Sequence, residues 1–229
     1  MALRAIVSYD GTANDQDALE LGRVFERVGV EVALAYVRHT QESEQAAERL
    51  EDHEAQELLA RGARSLGGSV RRHVVLSAST GEGLWALAER ERADVVVFGS
   101  DYRTAAGRVR PQASAERLLA GGPAAVAIAP AGLRDRTLTV TSVGVIPDDG
   151  DPSTEQTARA LAASLGATVA PSLDRPVDFL VVGSRPEAPH GRVMVSAAAE
   201  YAIENASCPV LVVPRGVVLP FAATSVALA

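Results

Sequence analysis

Lysine is absent from the 229-residue sequence, and cysteine and tryptophan occur once each. Without lysine the chain cannot supply the phosphate-binding lysine of a Gly-x-x-x-x-Gly-Lys-Ser/Thr loop, and the Gly-x-Ser-x-Gly pattern of many hydrolases is also absent. The single cysteine, Cys208, cannot form an internal disulfide. Because it precedes an apolar segment, we expect a small buried thiol in a reducing compartment.

Acidic residues outnumber basic ones, so the formal net charge is −7. This charge argues against general binding to nucleic acid or to an anionic membrane. The apolar C-terminal segment 217–229 is too short and too interrupted by proline to span a bilayer, and the N-terminus enters a predicted strand without a signal peptide. The histidines are scattered without metal-ligand spacing, so no metal site is expected. We expect a soluble cytoplasmic protein.

The segment from Ala93 to Pro130 predicts a strand, a turn, a helix and a second strand. Val95 to Phe98 is a continuous apolar run that ends at a Gly-Ser turn, which is typical of a parallel strand covered on both faces. The loop that follows leads into a predicted helix from Ser114 to Ala120, and Ala124 to Ala129 is the second buried strand. Loops of this kind, which feed a helix N-terminus, are where α/β sheets usually bind phosphate.

The same unit recurs 84 residues later without a gap. Identical residues stand at the aspartate before the strand, the turn, the Gly-Arg-Val of the loop and the helix glutamate. The aspartates are Asp94 and Asp178, the turns begin at Gly99 and Gly183, the Gly-Arg-Val segments begin at Gly107 and Gly191, and the glutamates are Glu116 and Glu200. So many coincidences at one offset indicate an internal duplication.

Preceding elements complete an alternating pattern over residues 1–131. The predicted strands are Leu3 to Val7, Val32 to Val37 and His73 to Leu76. Three helices are predicted between and after them: the first is capped by Asn14 or Asp15, the second runs from about Ser43 to Leu66, and the third runs from Thr80 to Arg92. This alternation predicts an α/β fold with a doubly wound, five-stranded parallel sheet and right-handed crossovers.

A shorter second half, residues 137–229, follows a linker. We expect a strand from Leu138 to Ile146, a helix from Ser153 to Leu165 capped by Ser153, and a short strand from Ala167 to Ala170. Only about eight residues then lead to Asp178, against about 57 at the matching point of the first half. The sequence therefore predicts a smaller, truncated copy that packs against the first half or another subunit, with the apolar tail as cover.

This order of elements resembles the universal stress protein family. The features that carry the resemblance are Asp10 after the first strand, the VVVFGS strand and turn, the Ala-Glu-Arg-Leu-Leu helix and the Cys-Pro-Val-Leu-Val-Val final strand. The resemblance implies an adenine-nucleotide α-hydrolase-like fold in tandem. It also implies an intramolecular pseudo-dimer, in which Ala124 to Ala129 pairs with Pro209 to Val213. Because the second copy is truncated, we also expect further homodimerisation.

ATP-binding members of that family carry Gly, two residues, Gly, nine residues, then Gly-Ser or Gly-Thr. Here Gly99 is kept, whereas Tyr102, Gln112 and Ala113 occupy the later positions and Ser114 follows. The second copy keeps Gly183 but has Pro186, Ser196 and Ala197, and its first-strand acid is either Asp148 or Asp149. The site residues implied by the resemblance are Tyr9, Asp10, Val37, Phe98, Gly99, Asp101, Arg103, Gln112 and Ser114.

Three functions remain open at this stage. The first is a stress-response or regulatory module that binds ATP or AMP weakly in its first half. The second is a dimerisation or scaffold protein without a nucleotide, which the lost glycines favour. The third is a nucleotide hydrolase, although no constellation of base and nucleophile is visible.

Overall fold

The computed structural model describes residues 2–39, 45–67, 69–147 and 150–222. Its strands are β1 (Arg4–Ser8), β2 (Glu31–His39), β3 (Arg71–Ser77), β4 (Val95–Gly99), β5 (Ala125–Ala129), β6 (Ser142–Ile146), β7 (Thr168–Val169), β8 (Phe179–Val182) and β9 (Val210–Val212). Its helices are α1 (Ala13–Arg27), α2 (Gln45–Ser65), α3 (Thr80–Glu91), α4 (Ala113–Leu119), α5 (Ser153–Leu165) and α6 (Ala197–Asn205).

All nine strands belong to one sheet, in the order β3-β2-β1-β4-β5-β9-β8-β6-β7. The fold is α/β, and the sheet is parallel except where β5 pairs with β9 antiparallel. The expected five-stranded sheet therefore does not end at β5. Its edge is hydrogen-bonded to β9, with Ala127 opposite Leu211, so the predicted pairing of the two final strands is present.

Two apolar clusters cover the two faces of the sheet. Helices α1, α2 and α5 contribute Phe25, Leu59 and Leu161 to one cluster, whereas α3, α4 and α6 contribute residues such as Leu87 and Leu118 to the other. Strand β4 supplies both clusters, because alternate side chains of a strand point to opposite faces. Cys208 lies in the second cluster as a free, buried thiol, and burial raises its pKa to about 12, so it stays protonated at neutral pH.

The loops after β4 and β8 are held by matching hydrogen bonds. In each loop the turn serine hydroxyl donates to a carbonyl at the end of the neighbouring strand, and a glycine N–H donates to a carbonyl two residues further along. These pairs are Ser100 with Ala129 and Gly107 with Ala131 in the first half, and Ser184 with Val213 and Gly191 with Arg215 in the second. Donors and acceptors are all offset by 84 residues.

Two further bonds cross between the halves in a reciprocal way. The Val109 N–H donates to Ala206 O at 3.2 Å, and the Val193 N–H donates to Gly122 O at 3.0 Å. Since the 84-residue offset relates Val109 to Val193 and Gly122 to Ala206, the two bonds are equivalent. The 84-residue repeat of the sequence thus extends to the contacts between the N-terminal and C-terminal parts of the sheet.

The short connection between β7 and β8 lies directly on the sheet at Gly144. A Cβ atom at Gly144 would be 2.6 Å from Leu173 Cδ2 and 2.9 Å from Val177 Cγ2. In the first half the corresponding position on β1 is Ile6, which packs in the same cluster as α3. A glycine at this position of β6 therefore leaves room for the connection to cover the strand.

The segment after β9 covers the other face. The Phe221 ring stacks on Phe25, with 6.0 Å between ring centroids, and Phe25 meets Phe179 edge-on at 6.5 Å. The Leu219 N–H donates to Thr157 Oγ1 at 3.0 Å. Part of the expected tail cover is thus present, while residues 223–229 lie outside the described residues.

Several predicted boundaries were wrong. Helix α1 has Thr12 at its N-cap, not Asn14 or Asp15, and the Thr12 N–H donates to the Asp15 side chain. Helix α5 begins at Ser153 after Pro152, and Asp151 Oδ1 accepts the Ser153 N–H instead of Ser153 capping the helix. Strand β6 begins four residues later than expected, at Ser142. The start expected for α2 at Ser43 falls outside the described residues.

Candidate functional site

A cleft of about 360 Å³ opens at the carboxyl ends of β1 and β2. Such an edge is where parallel α/β sheets bind ligands, because the loops after the strands diverge there. The described lining residues come from the ends of β1 and β2 and from the first turns of α1, α3 and α4. They are Ser8, Tyr9, Asp10, Asp15, Ala35, Tyr36, Val37, His39, Thr80, Gln112 and Ser114.

Asp10 is exposed, and the buried side chain of Asp15 holds its backbone in place. The Asp10 N–H donates to Asp15 Oδ2 at 2.7 Å, and the Thr12 N–H donates to Asp10 Oδ1 at 3.1 Å. Burial, followed by the hydrogen bond and charge of Asp10, raises the pKa of Asp15 to about 8. The hydrogen bond from Asp15 lowers the pKa of Asp10. At neutral pH Asp10 is therefore the ionised member of the pair, and it presents a carboxylate to the cleft.

Tyr9 forms the buried floor beside this pair. Its N–H extends the β1–β2 ladder by donating to Ala35 O at 2.9 Å, and its hydroxyl accepts from Gln16 Nε2 at 3.1 Å. Helix α2 crosses the ring closely, because a Cβ atom at Gly62 would lie 2.8 Å from Tyr9 Cε1. The ring is therefore fixed.

On the opposite wall, His39 and Thr80 are in contact. His39 Nε2 and Thr80 Oγ1 are 3.1 Å apart, within hydrogen-bond distance. Beyond His39 a second hollow of about 450 Å³ shares Tyr36 and His39 with the cleft and includes Arg38 and Arg61. The site thus combines a carboxylate, polar hydroxyl and imidazole groups, and an apolar wall at Val37.

The structure brings five of the nine predicted site residues to the cleft: Tyr9, Asp10, Val37, Gln112 and Ser114. The other four lie elsewhere. Phe98 is fully buried in the core, and Gly99 packs against α1, where a Cβ atom would be 2.1 Å from Asn14 O. Asp101 accepts the Arg103 N–H at 2.9 Å in a local turn, and the Arg103 guanidinium lies over the ring of the exposed Tyr102.

Sequence reasoning missed Asp15, His39 and Thr80. Asp15 was considered only as a helix cap, although an acid three residues after a threonine is the pattern in which that acid accepts the N-cap N–H. His39 is the last residue of β2, two positions after the apolar run ends at Val37, and this position puts it at the ligand-binding edge. Thr80 comes from α3 and carries no local signal. No group of metal-binding side chains occurs among the described residues, and none of the described helices is long and apolar enough to cross a membrane.

Comparisons with known proteins agree with this architecture. The sequence model of the universal stress protein family matches residues 1–130. The structure of a universal stress protein from Archaeoglobus fulgidus DSM 4304 is similar over 93% of this chain and 98% of that chain, with a TM-score of 0.62 and 15% identity. A protein of unknown function from Pseudomonas aeruginosa PAO1 is similar over 94% of both chains, with a TM-score of 0.60 and 16% identity. At these identities the similarity concerns the fold alone. No curated protein matches the sequence significantly.

Proposed function

Since the chain belongs to the universal stress protein family, we propose that it is a stress-response module of the cytoplasm whose N-terminal half binds the adenosine part of a nucleotide in the cleft at Asp10. The observation that carries this proposal is the Asp10 side chain in the cleft at the carboxyl edge of the sheet, with its backbone N–H held by Asp15. A fixed carboxylate accepts hydrogen bonds from two neighbouring hydroxyl groups, as a ribose offers.

The wall opposite Asp10 suits a planar base. Val37 is buried and Tyr36 is half-buried at the end of β2, so a ring could pack against apolar surface there. His39 and Thr80 add polar groups at the rim. This combination of a mostly apolar wall and few polar groups is typical of small-molecule sites.

The second half, in this proposal, is a shortened copy that serves as a built-in partner. Its support is the strand order β7-β6-β8-β9, which matches β2-β1-β4-β5, together with the loop hydrogen bonds repeated at 84 residues. The antiparallel β5–β9 pairing then relates two copies as in a pseudo-dimer. No site is proposed in the second copy.

The test is isothermal titration calorimetry with adenosine and AMP on the full chain. Asp10→Ala should weaken binding roughly tenfold to a hundredfold, because hydrogen bonds to a charged group contribute about 1.5–3 kcal/mol. Asp174→Ala removes an equally simple exposed carboxylate in the second half and should leave the affinity unchanged. No heat with either ligand at millimolar concentration would instead favour a scaffold without a nucleotide.

A further inference from the structure

The loop between β4 and α4 and the cleft at Asp10 differ in the groups that could contact a nucleotide. We infer that the site selects a ligand by its nucleoside part and that this loop holds no phosphate chain, so that ATP gains nothing over adenosine. The inference rests on the proposed function, because it concerns the ligand of the same cleft. The hydrogen bonds of the loop, the rigid neighbours to which they tie it and the charge at the cleft support it.

The first feature is that seven backbone donors of the loop, between Asp101 and Arg110, are already in use. A phosphate cradle needs several neighbouring N–H groups that point at the ligand without other partners. In this loop most N–H groups donate within the protein instead. The engaged donors are the N–H groups of Asp101, Arg103, Thr104, Gly107, Arg108, Val109 and Arg110.

The second feature is that these bonds tie the loop to rigid neighbours. Gly107 donates to Ala131 after β5 at 2.7 Å, and Val109 donates to Ala206 of the second half at 3.2 Å. The Ser100 hydroxyl donates to Ala129 O and accepts the Arg110 N–H, so the turn is closed on both sides. Freeing the N–H groups for phosphate would require breaking bonds to the β5 edge and to the other half.

The third feature is the charge at the cleft. Asp10 is ionised, and no arginine is among the described residues that line the cleft. Two arginines of the loop are directed elsewhere: Arg103 lies over Tyr102, and the Arg108 guanidinium donates to Asn205 O at 3.1 Å. A phosphate chain beside Asp10 would therefore meet a like charge, and none of the described residues that line the cleft is an arginine that could offset it.

Calorimetry with adenosine, AMP and ATP at equal ionic strength tests the inference. The expected result is that ATP binds no more tightly than adenosine. ATP binding at least tenfold tighter than adenosine would overturn the inference while leaving the proposed function intact. If that gain disappeared in Arg61→Ala, the phosphates would lie in the hollow beyond His39, which also contradicts it. Failure of all three ligands would contradict the proposed function itself.

A second variant addresses the loop directly. Tyr102→Gly restores a glycine that ATP-binding members of the family carry, at a side chain that is 72% exposed and therefore simple to remove. Because the surrounding N–H groups keep their internal partners, ATP affinity should change by less than about twofold. A tenfold gain would show that the Tyr102 side chain, and not the engaged backbone, keeps phosphate out.

Amide hydrogen exchange supplies a readout that does not depend on affinity. The N–H groups of Asp101, Gly107 and Val109 should be protected in the free protein and unchanged when AMP is bound. Those near Asp10 should gain protection on binding. Slow exchange that appears in the loop only with ATP would mean that the loop rearranges around phosphate, which contradicts the inference.

Discussion

Asp15 Oδ2 accepts the backbone N–H of Asp10 at 2.7 Å, so the buried acid positions the backbone of the exposed one. The same oxygen accepts the Thr12 N–H at 3.2 Å, at the start of α1. One side chain therefore closes the turn after β1, begins the helix and lowers the pKa of Asp10. Changes at Asp15 should affect both stability and the cleft.

Replacement of Asp15 by asparagine should change the pH dependence of stability. The pKa of Asp15 is raised to about 8 in the folded protein, so its contribution to stability is complete below the unfolded value of 3.8 and is lost as pH rises towards 8. In wild type the free energy of unfolding should fall by up to about 1.4 kcal/mol per pH unit across this window. Asp15→Asn keeps an acceptor for both N–H groups and a donor for Asp10 but does not ionise, so its slope should be smaller.

Urea unfolding at pH 5, 6.5 and 8 measures these slopes. Asp174→Asn, at an exposed carboxylate, is the control and should follow wild type at each pH. Equal slopes for Asp15→Asn and wild type would mean that Asp15 is already ionised at neutral pH in the folded protein.

Gly99→Ala should destabilise the protein by about 3 kcal/mol, because the new Cβ would lie 2.1 Å from Asn14 O and neither backbone can move without disturbing β4 or α1. Gly29→Ala is the matched control: its φ of +79° makes alanine strained, but no atom lies within 4 Å of the Cβ position. That variant should lose only about 1 kcal/mol. Thermal or urea unfolding distinguishes the two, and equal losses would refute the close approach at Asn14.

Gly144→Ala should also be destabilising, and Leu173→Ala should partly rescue it. The Gly144 Cβ position is 2.6 Å from Leu173 Cδ2, so shortening that half-exposed side chain makes room. A double-mutant cycle should give a favourable coupling of roughly 1 kcal/mol between the two changes. Additive losses would indicate that the connection does not lie on β6 at this point.

Arg192→Ala should alter the emission of the single tryptophan. The Arg192 guanidinium lies 5.6 Å from the centre of the Trp85 ring, whose other neighbour is Arg117 at 4.6 Å, and it also pairs with Glu89 at 3.0 Å. Its removal exposes the ring to water, so the emission should shift to the red, with a loss of about 1 kcal/mol in stability. Arg159→Ala, which breaks the Glu155 pair within α5, should leave the emission unchanged.

Much of the fold could be predicted because apolar runs and the alternation of strands and helices are visible in the sequence. The apolar run at Val95 predicted β4 to within one residue, and the alternation of elements predicted an α/β fold. Helix starts were less predictable, because the cap of α1 depends on a side-chain bond from Asp15 and that of α5 on a proline beside Asp151. The two residues that pack over Gly144 belong to a connection with no periodic signal.

The predicted residues that line the cleft lie either at strand ends, as Asp10 and Val37 do, or at the start of α4, as Gln112 and Ser114 do. Thr80, which was not predicted, reaches the cleft from the start of α3. The resemblance implied Phe98 as a site residue, but its side chain is buried in the core. Strand alternation decides the direction of that side chain.

The antiparallel junction of β5 and β9 has a consequence for self-assembly. Each of these strands would otherwise present a row of free amides and carbonyls, which attracts other strands. Here each satisfies the other within a single polypeptide, and the outermost strand on the far side, β7, is only two residues long. Because β5 and β9 already pair within the chain, an association between two molecules would use a surface other than this seam.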